Sequence, residues 1–416
     1  MTLQQGRALR ILLVTNYFPP EVNAPAIRGF EHARLWAAAG HEVEVLTAVP
    51  NFPEGRIHDG YRNRLTREER DGIRTLRVPV VLAANRGTGR RSLAYVSFLV
   101  SSVVGARRLS SRPDVVIATS PQLLAGLAGY RIARRLAVPF ILEVRDLWPD
   151  SIVAVGALPD ALPVRLLARL ERFLYAGASH VVVVTEPFRA RLQERGVPAS
   201  KVSVLTNGVD AGSLPLVTSE ERAAVRRGLG LDESFIVAWV GTLGLAHGAE
   251  VLIEAARQLA SERVAFVVAG AGADADRVAK AARGLSNVRL LGRLPRHDAL
   301  RLLASSDAAV VHLRRSPVFR DVIPTRMLEA MALGRPVLIG VEGEARRLAE
   351  LSGAGVAFEP ECAESLLAAL DQVVRDADLR QRLGNAGPPF VHRHFDRRVI
   401  ASEYLDLLGA VVGAAR

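Results

Sequence analysis

Short apolar runs alternate with amphipathic stretches through the first half of the chain. Between the first two runs, residues 26–39 place apolar side chains at helical spacing, and Gly40 ends that pattern. An alternation of buried strands and helices predicts a parallel sheet with helices on both faces. The predicted strands are residues 11–15, 43–47, 76–78, 115–119, 140–144 and 180–185.

The second half of the chain repeats this alternation. Between the halves, Asn207 and Gly208 form a strong turn signal that a polar stretch follows. The pattern predicts an α/β protein of two doubly wound domains, residues 1–205 and 206–390, and a single helix from Phe390 to Leu408. The strands predicted in the second half are residues 236–240, 265–269, 288–290, 308–312, 337–339 and 355–358.

Residues 321–339 combine a helix start with a buried strand. Pro324 stands where the first helical turn tolerates proline, and Thr325 beside it is a good capping residue. Free backbone N–H groups at such a helix start attract phosphate. Glu329, about 6 Å further along the same face, is placed to accept hydrogen bonds from two ribose hydroxyls. This arrangement predicts a nucleoside-diphosphate pocket, and the alternative is that Glu329 is a solvated helix residue.

Composition narrows the class of protein. A chain of 416 residues, 49% of them apolar, can form two or three domains with full cores. The single cysteine, Cys362, excludes a disulfide framework and a multi-cysteine metal site and fits a reducing cytoplasm. The polar start of the chain predicts no signal peptide. The apolar residues 93–104 number 12, too few for a membrane span of about 20.

Positive charge is concentrated in the first half of the chain. Residues 1–200 hold 27 arginines and 17 acidic residues, a net +10, whereas residues 201–416 hold 27 basic and 26 acidic residues, a net +1. This asymmetry predicts an anionic partner for the first half: nucleic acid, a membrane surface or a phosphorylated substrate. We exclude nucleic acid, because the basic half lacks a binding motif and its few aromatic residues are not interleaved with the charge.

The densest positive region spans residues 56–112, with 13 arginines against four acidic residues. It contains the apolar residues 93–104. A short apolar element ringed by cations predicts contact with an anionic membrane surface. The alternative is a helix buried in the first domain beside solvated arginines. The flanking arginines are Arg86, Arg90, Arg91, Arg107, Arg108 and Arg112.

Residues 321–337 resemble the carboxyl-proximal signature of the retaining glycosyltransferases of family 4. Asp321 and Glu329 occupy its two acidic positions, and residues 328–337 match the remainder. Asp321 stands where the family has Glu, and residues 324–326 read Pro-Thr-Arg where a bacterial subgroup has Pro-Ser-Lys. The resemblance implies the GT-B fold, in which two Rossmann-like domains face a cleft. It also implies a C-terminal helix, residues 391–416, that crosses back to the first domain.

The subgroup resembles enzymes that add N-acetylated sugars during capsule, O-antigen and colanic-acid synthesis. The resemblance implies a donor that is a nucleotide sugar, expected to be UDP-linked, and an acceptor that is a prenyl-diphosphate-linked saccharide. It implies work without a metal or cofactor, in the cytoplasm on the inner face of the cell membrane. A soluble acceptor is the alternative.

The resemblance also implies which residues bind the donor. Glycines after the strand at 236–240 allow close backbone approach, and exposed N–H groups there can hold a phosphate. Many relatives follow this loop with a lysine. This chain has His247, which supplies less charge when neutral, so Arg326 is expected to take on more of that task. The expected donor residues are Gly241, Thr242, Leu243, Gly244, His247, Gly270, Arg293, Leu294, Pro324, Thr325, Arg326 and Glu329.

The resemblance further implies the catalytic candidates Asp321, Asp146 and Arg145. Residues 145–149 read R-D-L-W-P, as in the subgroup. Arginine stays charged, so Arg145 would stabilise phosphate or orient substrate and would not transfer protons. The alternative for Arg145 and Asp146 is a purely structural ion pair. Neither aspartate is identified as a nucleophile.

The loop after the first strand is expected to contact the acceptor, because substrates bind beyond the carboxyl ends of parallel strands. Relatives often carry a glycine pair in this loop, where this chain has Val22 and Asn23. Asn23 and Arg28 are the candidates for acceptor binding. The alternative is a turn residue and a surface arginine.

Other enzyme classes fit less well. A dinucleotide oxidoreductase is excluded because no glycine follows the first strand until Gly29. A zinc hydrolase is excluded because His392 and His394 are only two residues apart. A non-hydrolysing sugar-nucleotide 2-epimerase, which shares the fold and the donor, is the alternative enzyme. Against it, the acidic spacing and the R-D-L-W-P segment both resemble transferases.

Overall fold

The structure, a computed structural model, describes residues 7–84, 89–120, 122–148, 150, 162–259 and 263–415. Arg86 and Pro149 lie outside the described residues. The chain forms two compact units. The N-terminal unit comprises Met1–Thr206 and Arg397–Arg416, and the C-terminal unit comprises Asn207–Asp396.

The N-terminal unit is built on a sheet of eight described strands in the order β3-β4-β2-β1-β5-β6-β7-β8. Only the β3–β4 pair is antiparallel among the pairs in this order. The chain builds outward from β1 on one side and from β5 on the other, so the strand order reverses between them. The strands are β1 Arg10–Val14, β2 Glu42–Ala48, β3 Thr66–Arg70, β4 Ile73–Val78, β5 Val115–Thr119, β6 Phe140–Val144, β7 His180–Val183 and β8 Val202–Val204.

Helices cover this sheet. They are α1 Ala24–Ala38, α2 Gly89–Gly105, α3 Leu123–Leu136, α4 Leu162–Gly177 and α5 Glu186–Glu194, and the chain returns at its end with α14 Arg397–Ala414. Strands β3 and β8 were not predicted. β3 is an edge strand of sequence TREER with four exposed residues, so no apolar run marks it.

The C-terminal unit has a six-stranded, fully parallel sheet in the order β11-β10-β9-β12-β13-β14. Its strand order reverses between β9 and β12. The strands are β9 Phe235–Val240, β10 Val264–Ala269, β11 Val288–Gly292, β12 Ala308–His312, β13 Val337–Gly340 and β14 Gly355–Ala357. The helices are α6 Ser219–Leu229, α7 Glu250–Gln258, α8 Ala275–Ala281, α9 Arg296–Ser305, α10 Thr325–Ala332, α11 Glu344–Ser352, α12 Ala363–Arg375 and α13 Ala377–His394.

Both faces of the second sheet are covered. Alternate residues of β9 enter two different apolar clusters, Ile236 and Ala238 on one face and Val237 and Trp239 on the other. This is why β9 is a continuous apolar run. The predicted α/β class with two doubly wound domains is confirmed.

The helix predicted from Phe390 to Leu408 is wrong, because α13 ends at His394 and α14 begins at Arg397. The backbone N–H of Val209 donates to the carbonyl of Phe395 at 2.9 Å, and Val209 pairs with Asp396 in a short parallel bridge. The sequence hides this break because Phe395 is itself apolar and buried. The domain boundary predicted at 390/391 therefore falls inside α13.

Helix α14 packs within the N-terminal unit. The indole N–H of Trp36 donates to the carbonyl of Ala401 at 3.2 Å, and the rings of Trp36 and Tyr404 lie 5.2 Å apart, edge to face. Arg397, the first residue of α14, pairs with Glu31 at 3.0 Å. The end of the chain thus completes the first unit.

Candidate active site

Most predicted donor residues lie in loops that follow β9, β10 and β11 and at the start of α10. In open parallel sheets, ligands bind beyond the carboxyl ends of the strands where the strand order reverses. In the C-terminal unit this place is beside β9 and β12. Residues 241–244 follow β9 directly, so the fold puts this loop where a ligand is expected.

In the loop after β9, every second backbone N–H group donates a hydrogen bond within the protein. The amides of Gly241 and Leu243 donate to the carbonyls of Ala269 and Ala271, at 2.9 and 3.0 Å. The amides of Thr242 and Gly244 have no acceptor among the described residues. Unengaged amides in a glycine-rich turn can hold an anion. The loop therefore offers two backbone donors to a ligand.

Gly270 has a structural reason to be glycine. A Cβ at Gly270 would lie 1.9 Å from the carbonyl oxygen of Gly241, and one at Gly272 would lie 2.3 Å from that of Leu243. Gly272 also has a φ of +156°. The loops after β9 and β10 thus touch backbone to backbone, which only glycine permits. This contact accounts for Gly270 without a direct role in donor binding, and that role stays a prediction.

His247 is neutral near pH 7. Burial lowers its pKa, and so does the neighbouring His312. The Nε2 of His312 accepts a hydrogen bond from the backbone N–H of Glu361 at 2.8 Å, so the proton is on Nδ1, which donates to the carbonyl of His247 at 2.6 Å. His312 thereby fixes the end of the loop, and His247 adds no positive charge to it.

Helix α10 starts differently from the prediction. Pro324 is the N-cap residue, Thr325 is the first helical residue, and no side chain caps the helix. The prediction that Thr325 caps the helix is therefore wrong. Met327 donates its N–H to the carbonyl of Pro324 at 3.0 Å, whereas the amides of Thr325 and Arg326 have no acceptor among the described residues. The helix start offers two further donors to an anion.

Glu329 is buried, with 2% of its surface exposed. Its Oε1 accepts from Nη1 of Arg296 at 2.8 Å, and its Oε2 lies 2.6 Å from Nη1 of Arg326. Both oxygens thus already face a cation, and each keeps a second lone pair that could accept from a ribose hydroxyl. Arg326 pairs with Glu329 through Nη1 alone, and a guanidinium has five N–H donors, so it can contact Glu329 and a diphosphate at once. Both roles stay predictions.

Sequence reasoning missed Arg296. It lies at the start of α9, 33 residues before Glu329, and no local pattern links the two. Asp321 ends a 3-10 helix, Phe319–Asp321, and is 8% exposed. Arg293 is exposed after the turn at Gly292, and Leu294 packs against the apolar core. These three predicted residues come from two segments of the C-terminal unit, the turn after β11 and the 3-10 helix before α10.

In the N-terminal unit, Arg28 is internal rather than a surface residue. It is 2% exposed, and its Nη2 lies 2.8 Å from Oε1 of Glu143 on β6. It also donates to the carbonyls of Leu205 and Thr206, at 3.1 and 2.8 Å. Burial would raise the pKa of Glu143, but Arg28 and Arg145 lower it below its ordinary value. These contacts favour a structural role for Arg28 over the predicted contact with the acceptor.

Arg145 and Asp146 are both partly buried, but no direct ion pair joins them. The backbone N–H of Arg145 donates to Oγ of Ser120 at 2.9 Å. Its Nε is buried without a hydrogen-bond partner in the part of the chain that the structure describes. Burial raises the pKa of Asp146 to about 6, with Arg145 acting against that shift. A partly buried cation whose buried Nε is unused favours a role towards substrate over a satisfied structural pair.

Asn23 caps α1, since its Oδ1 accepts from the backbone N–H of Ala26 at 2.9 Å. Its Nδ2 is buried without a partner among the described residues. In the same residues, no helix is long and apolar enough to cross a membrane. No three His, Cys, Asp or Glu side chains among them are grouped to hold a metal ion. A reaction without a metal stays a prediction.

Family comparisons match both halves of the chain. Residues 30–208 match a family described as "Glycosyl transferase 4-like domain", and residues 221–389 match "Glycosyl transferases group 1".

Two curated relatives and one solved structure extend this likeness. The chain is 26% identical over 411 residues to the putative colanic acid biosynthesis glycosyl transferase WcaI of Escherichia coli (strain K12), covering 96% of this chain and 99% of that protein. It is 28% identical over 296 residues to the probable glycosyltransferase WbjE of Pseudomonas aeruginosa, covering 68% and 72%. HepE of Anabaena in complex with UDP-glucose has a TM-score of 0.72 and 17% identity, covering 96% and 100%.

Proposed function

Because the chain belongs to the family 4 glycosyltransferases and has the GT-B fold, we propose that it moves a sugar of the N-acetylhexosamine type from a UDP-linked donor. The acceptor is a prenyl-diphosphate-linked saccharide in the synthesis of a bacterial cell-surface polysaccharide, and the configuration at the sugar is retained. The names of WcaI and WbjE support the enzyme class, and colanic acid in the first supports the pathway class. The UDP-glucose complex of HepE supports the donor.

The observation that carries the proposal is the set of unengaged amides in the C-terminal unit. Thr242 and Gly244 follow β9 at the reversal of strand order, and Thr325 and Arg326 start α10. Fixed N–H groups of this kind suit a diphosphate, whose negative charge grows as it leaves the sugar. Stabilising that charge is usually the largest catalytic contribution.

In the proposed reaction, the bond between the sugar carbon and the diphosphate oxygen breaks. A bond from the acceptor oxygen forms on the same face of the sugar, and the acceptor proton passes to the departing phosphate. Arg145 is proposed to stabilise the negative charge of the phosphate groups. Asp321 and Asp146 are the carboxylates proposed to lie near the sugar. A protein nucleophile is not part of this proposal.

A donor screen tests the assignment. Nucleotide sugars are ranked by their shift of the melting temperature, and a prenyl-diphosphate-linked saccharide is then added and products are read by mass spectrometry. We expect the largest shift with a UDP-linked N-acetylhexosamine and a product heavier by one such residue. Conversion of the nucleotide sugar to its 2-epimer without an acceptor would contradict transfer and support the epimerase. Transfer to a soluble saccharide alone would contradict the lipid-linked acceptor.

We also propose that the N-terminal unit docks on an anionic membrane surface through α2. Four large apolar residues of α2, Leu93, Val96, Val100 and Val104, are 47–59% exposed. They recur every three or four residues, so they share one face, while Phe98 and Ser102 are buried on the other. Arg90 precedes this face, and Arg107 and Arg108 follow it, all exposed. The alternative, a helix buried in the first domain, does not fit the exposed fractions of these four side chains.

Liposome flotation tests the docking. Anionic vesicles should carry the protein at low salt, and less of it at high salt, whereas neutral vesicles should not. At up to about 1 kcal/mol per basic residue, changing Arg90, Arg107 and Arg108 to Gln should weaken partitioning by up to about a hundredfold. The matched control changes three exposed arginines of the C-terminal unit, Arg227, Arg283 and Arg393, to Gln. Equal loss in both triple variants, or no flotation of the parent protein, would contradict docking through α2.

A further inference from the structure

Five consecutive carbonyl groups of the loop after β9, those of residues 243–247, all accept hydrogen bonds. The carbonyl of Leu243 accepts from the N–H of Asp274 at 2.9 Å, and that of Gly244 accepts from the N–H of His247 at 2.9 Å. The other three accept from two residues at the end of β12, the strand beside β9. Because a peptide unit is planar, engaged carbonyls also fix the directions of the N–H groups between them.

Arg314, two residues after β12, supplies two of these contacts. Its Nε donates to the carbonyl of Leu245 at 2.8 Å, and its backbone N–H donates to the carbonyl of Ala246 at 2.9 Å. Gly248, at the end of the loop, lies close to the same side chain, since a Cβ there would be 3.2 Å from Cγ of Arg314. The backbone and the side chain of Arg314 thus both hold the second half of the loop.

Two carboxylates fix the guanidinium of Arg314 in this place. Its Nη1 donates to Oε1 of Glu361 at 2.9 Å, and its Nη2 pairs with Oε1 of Glu250. Glu361 also donates its backbone N–H to Nε2 of His312, the residue that holds the carbonyl of His247. An arginine presents its N–H groups in a rigid, planar fork. The two carboxylates therefore direct Nε of Arg314 towards the loop.

These contacts control the direction of the unengaged amide of Gly244. The carbonyl and the N–H of one trans peptide point in opposite directions. Since the carbonyl of Leu243 points towards Asp274, the N–H of Gly244 in the same peptide points away from it. Glycine has no side chain to restrict its backbone, so this direction depends on the contacts on either side, from Asp274 before Gly244 and from Arg314 after it. A donor that is already in place needs no ordering when the ligand binds.

We propose that Arg314 is a positioning residue for the diphosphate of the donor: it holds the carbonyl of Leu245 and thereby keeps the N–H of Gly244 directed at the ligand. This inference rests on the proposed function, in which the unengaged amides of this loop bind the diphosphate. Arg314 is a poor direct ligand for an anion, because two carboxylates already face its single positive charge. Its effect on the donor passes through the loop.

The test measures UDP binding to the full chain by calorimetry, and binding of uridine, which lacks the diphosphate, by displacement of UDP. Arg314→Gln should bind UDP about 5- to 30-fold more weakly, because about one backbone residue must then be ordered on binding, and it should bind uridine as the parent does. Arg314→Lys keeps the charge beside the carboxylates but not the Nε contact, so it should lose about as much affinity for UDP. It is also the variant to use if Arg314→Gln does not fold.

The matched control is Arg346→Gln. Arg346 also lies between two carboxylates of the C-terminal unit, since its Nε is 2.9 Å from Glu350 and its Nη1 is 3.3 Å from Glu359. Its side chain is 40% exposed, similar to the 32% of Arg314. The variant removes a comparable pair of contacts away from the loop, so its affinity for UDP should stay within about twofold of the parent protein.

A second measurement needs no nucleotide. The N–H of His247 closes the turn by donating to Gly244, so it is protected from hydrogen exchange while the loop is held. In Arg314→Gln, exchange in the peptide that covers residues 241–248 should be faster by about tenfold or more, read by mass spectrometry. Arg346→Gln should exchange like the parent protein.

Each outcome decides the question. Parental UDP affinity in Arg314→Gln or in Arg314→Lys, or an equal loss of UDP and uridine affinity, would overturn the positioning role. Unchanged exchange of the loop in Arg314→Gln would overturn it as well. Weaker UDP binding with parental uridine binding and faster exchange supports it. A parent protein that binds no UDP contradicts the proposed donor, and the exchange measurement then decides whether Arg314 holds the loop.

Discussion

The two sheets reverse their strand order between β1 and β5 in the N-terminal unit and between β9 and β12 in the C-terminal unit. Beyond β9 the chain offers backbone, namely the unengaged amides of Thr242 and Gly244. Beyond β1 it offers side chains, Asn16 and Tyr17, to which α2 adds Arg91. Every nucleotide-sugar donor has a diphosphate, which suits backbone amides that any residue can supply. Side chains, by contrast, differ from one protein to the next. Under the proposed function, the nucleotide-sugar donor binds to backbone amides, and the acceptor, which varies between enzymes, binds to side chains.

Each unit also holds a buried glutamate that is paired with arginine. In the N-terminal unit, the side chains of Arg28 and Glu143 are only 3% and 7% exposed. In the C-terminal unit, Glu329 is as well buried, but the side chains of Arg296 and Arg326 are 26% and 28% exposed. An ion pair sealed from water, such as Arg28–Glu143, has a structural role. Arginines that reach the solvent, such as those on Glu329, can exchange one anion for another.

The largest effect should come from breaking the sealed pair. Glu143→Gln leaves Arg28 buried without a countercharge, and we expect the free energy of unfolding to fall by about 3–5 kcal/mol. Urea denaturation measures this. The matched control is Glu42→Gln, whose partner Arg74 lies 2.7 Å away in a pair that water reaches, and it should cost about 0–1 kcal/mol. Similar losses in the two variants would contradict the distinction between sealed and open pairs.

The sequence predicts the buried strands of both units but not their buried ion pairs. The strands 115–119, 140–144 and 308–312 were predicted with the bounds that the structure has, because a buried parallel strand is a local apolar run. The partners of the buried glutamates that are distant in sequence were not predicted. Arg28 and Glu143 are 115 residues apart, and Arg296 and Glu329 are 33 apart. Pairs of this kind are made by the fold, and no local pattern in the chain marks them.

The open pair of the C-terminal unit should matter for the donor. Glu329→Ala should lower kcat/KM by about 10- to 150-fold if the carboxylate binds the ribose. Arg296→Ala breaks the same pair while keeping the carboxylate, so it separates loss of ribose contact from loss of the ion pair. Calorimetry with UDP gives the affinity, and melting temperature checks folding. Parental UDP affinity in Glu329→Ala would show that the carboxylate is only a countercharge for its two arginines.

The two arginines paired with Glu329, Arg326 and Arg296, should differ in their effect on the reaction. It lies in the first turn of α10, beside amides that have no acceptor among the described residues, and Arg296 does not. We expect Arg326→Ala to lower kcat by about tenfold, the loss of one charge-assisted contact, with little change in melting temperature. Arg296→Ala should change kcat less. If the two variants have the same kcat as the parent protein, neither holds the diphosphate, and Arg145 becomes the candidate.

The smallest effect should come from Asp146, whose carboxyl interacts with the charge of Arg145. Burial raises its pKa from 3.8 to about 6, with Arg145 acting in the opposite direction. The folded protein therefore binds a proton more tightly than the unfolded chain does, and this stabilisation is complete below about pH 4. It is lost as the pH rises through about 6. The side chain is partly exposed, so we expect a change of about 1 kcal/mol or less. Urea denaturation of the parent protein and of Asp146→Asn at pH 4.5 and pH 7 should show the variant gaining on the parent as the pH rises. A parent that gains stability relative to the variant over that interval would mean that Arg145, and not burial, sets the charge of this carboxyl.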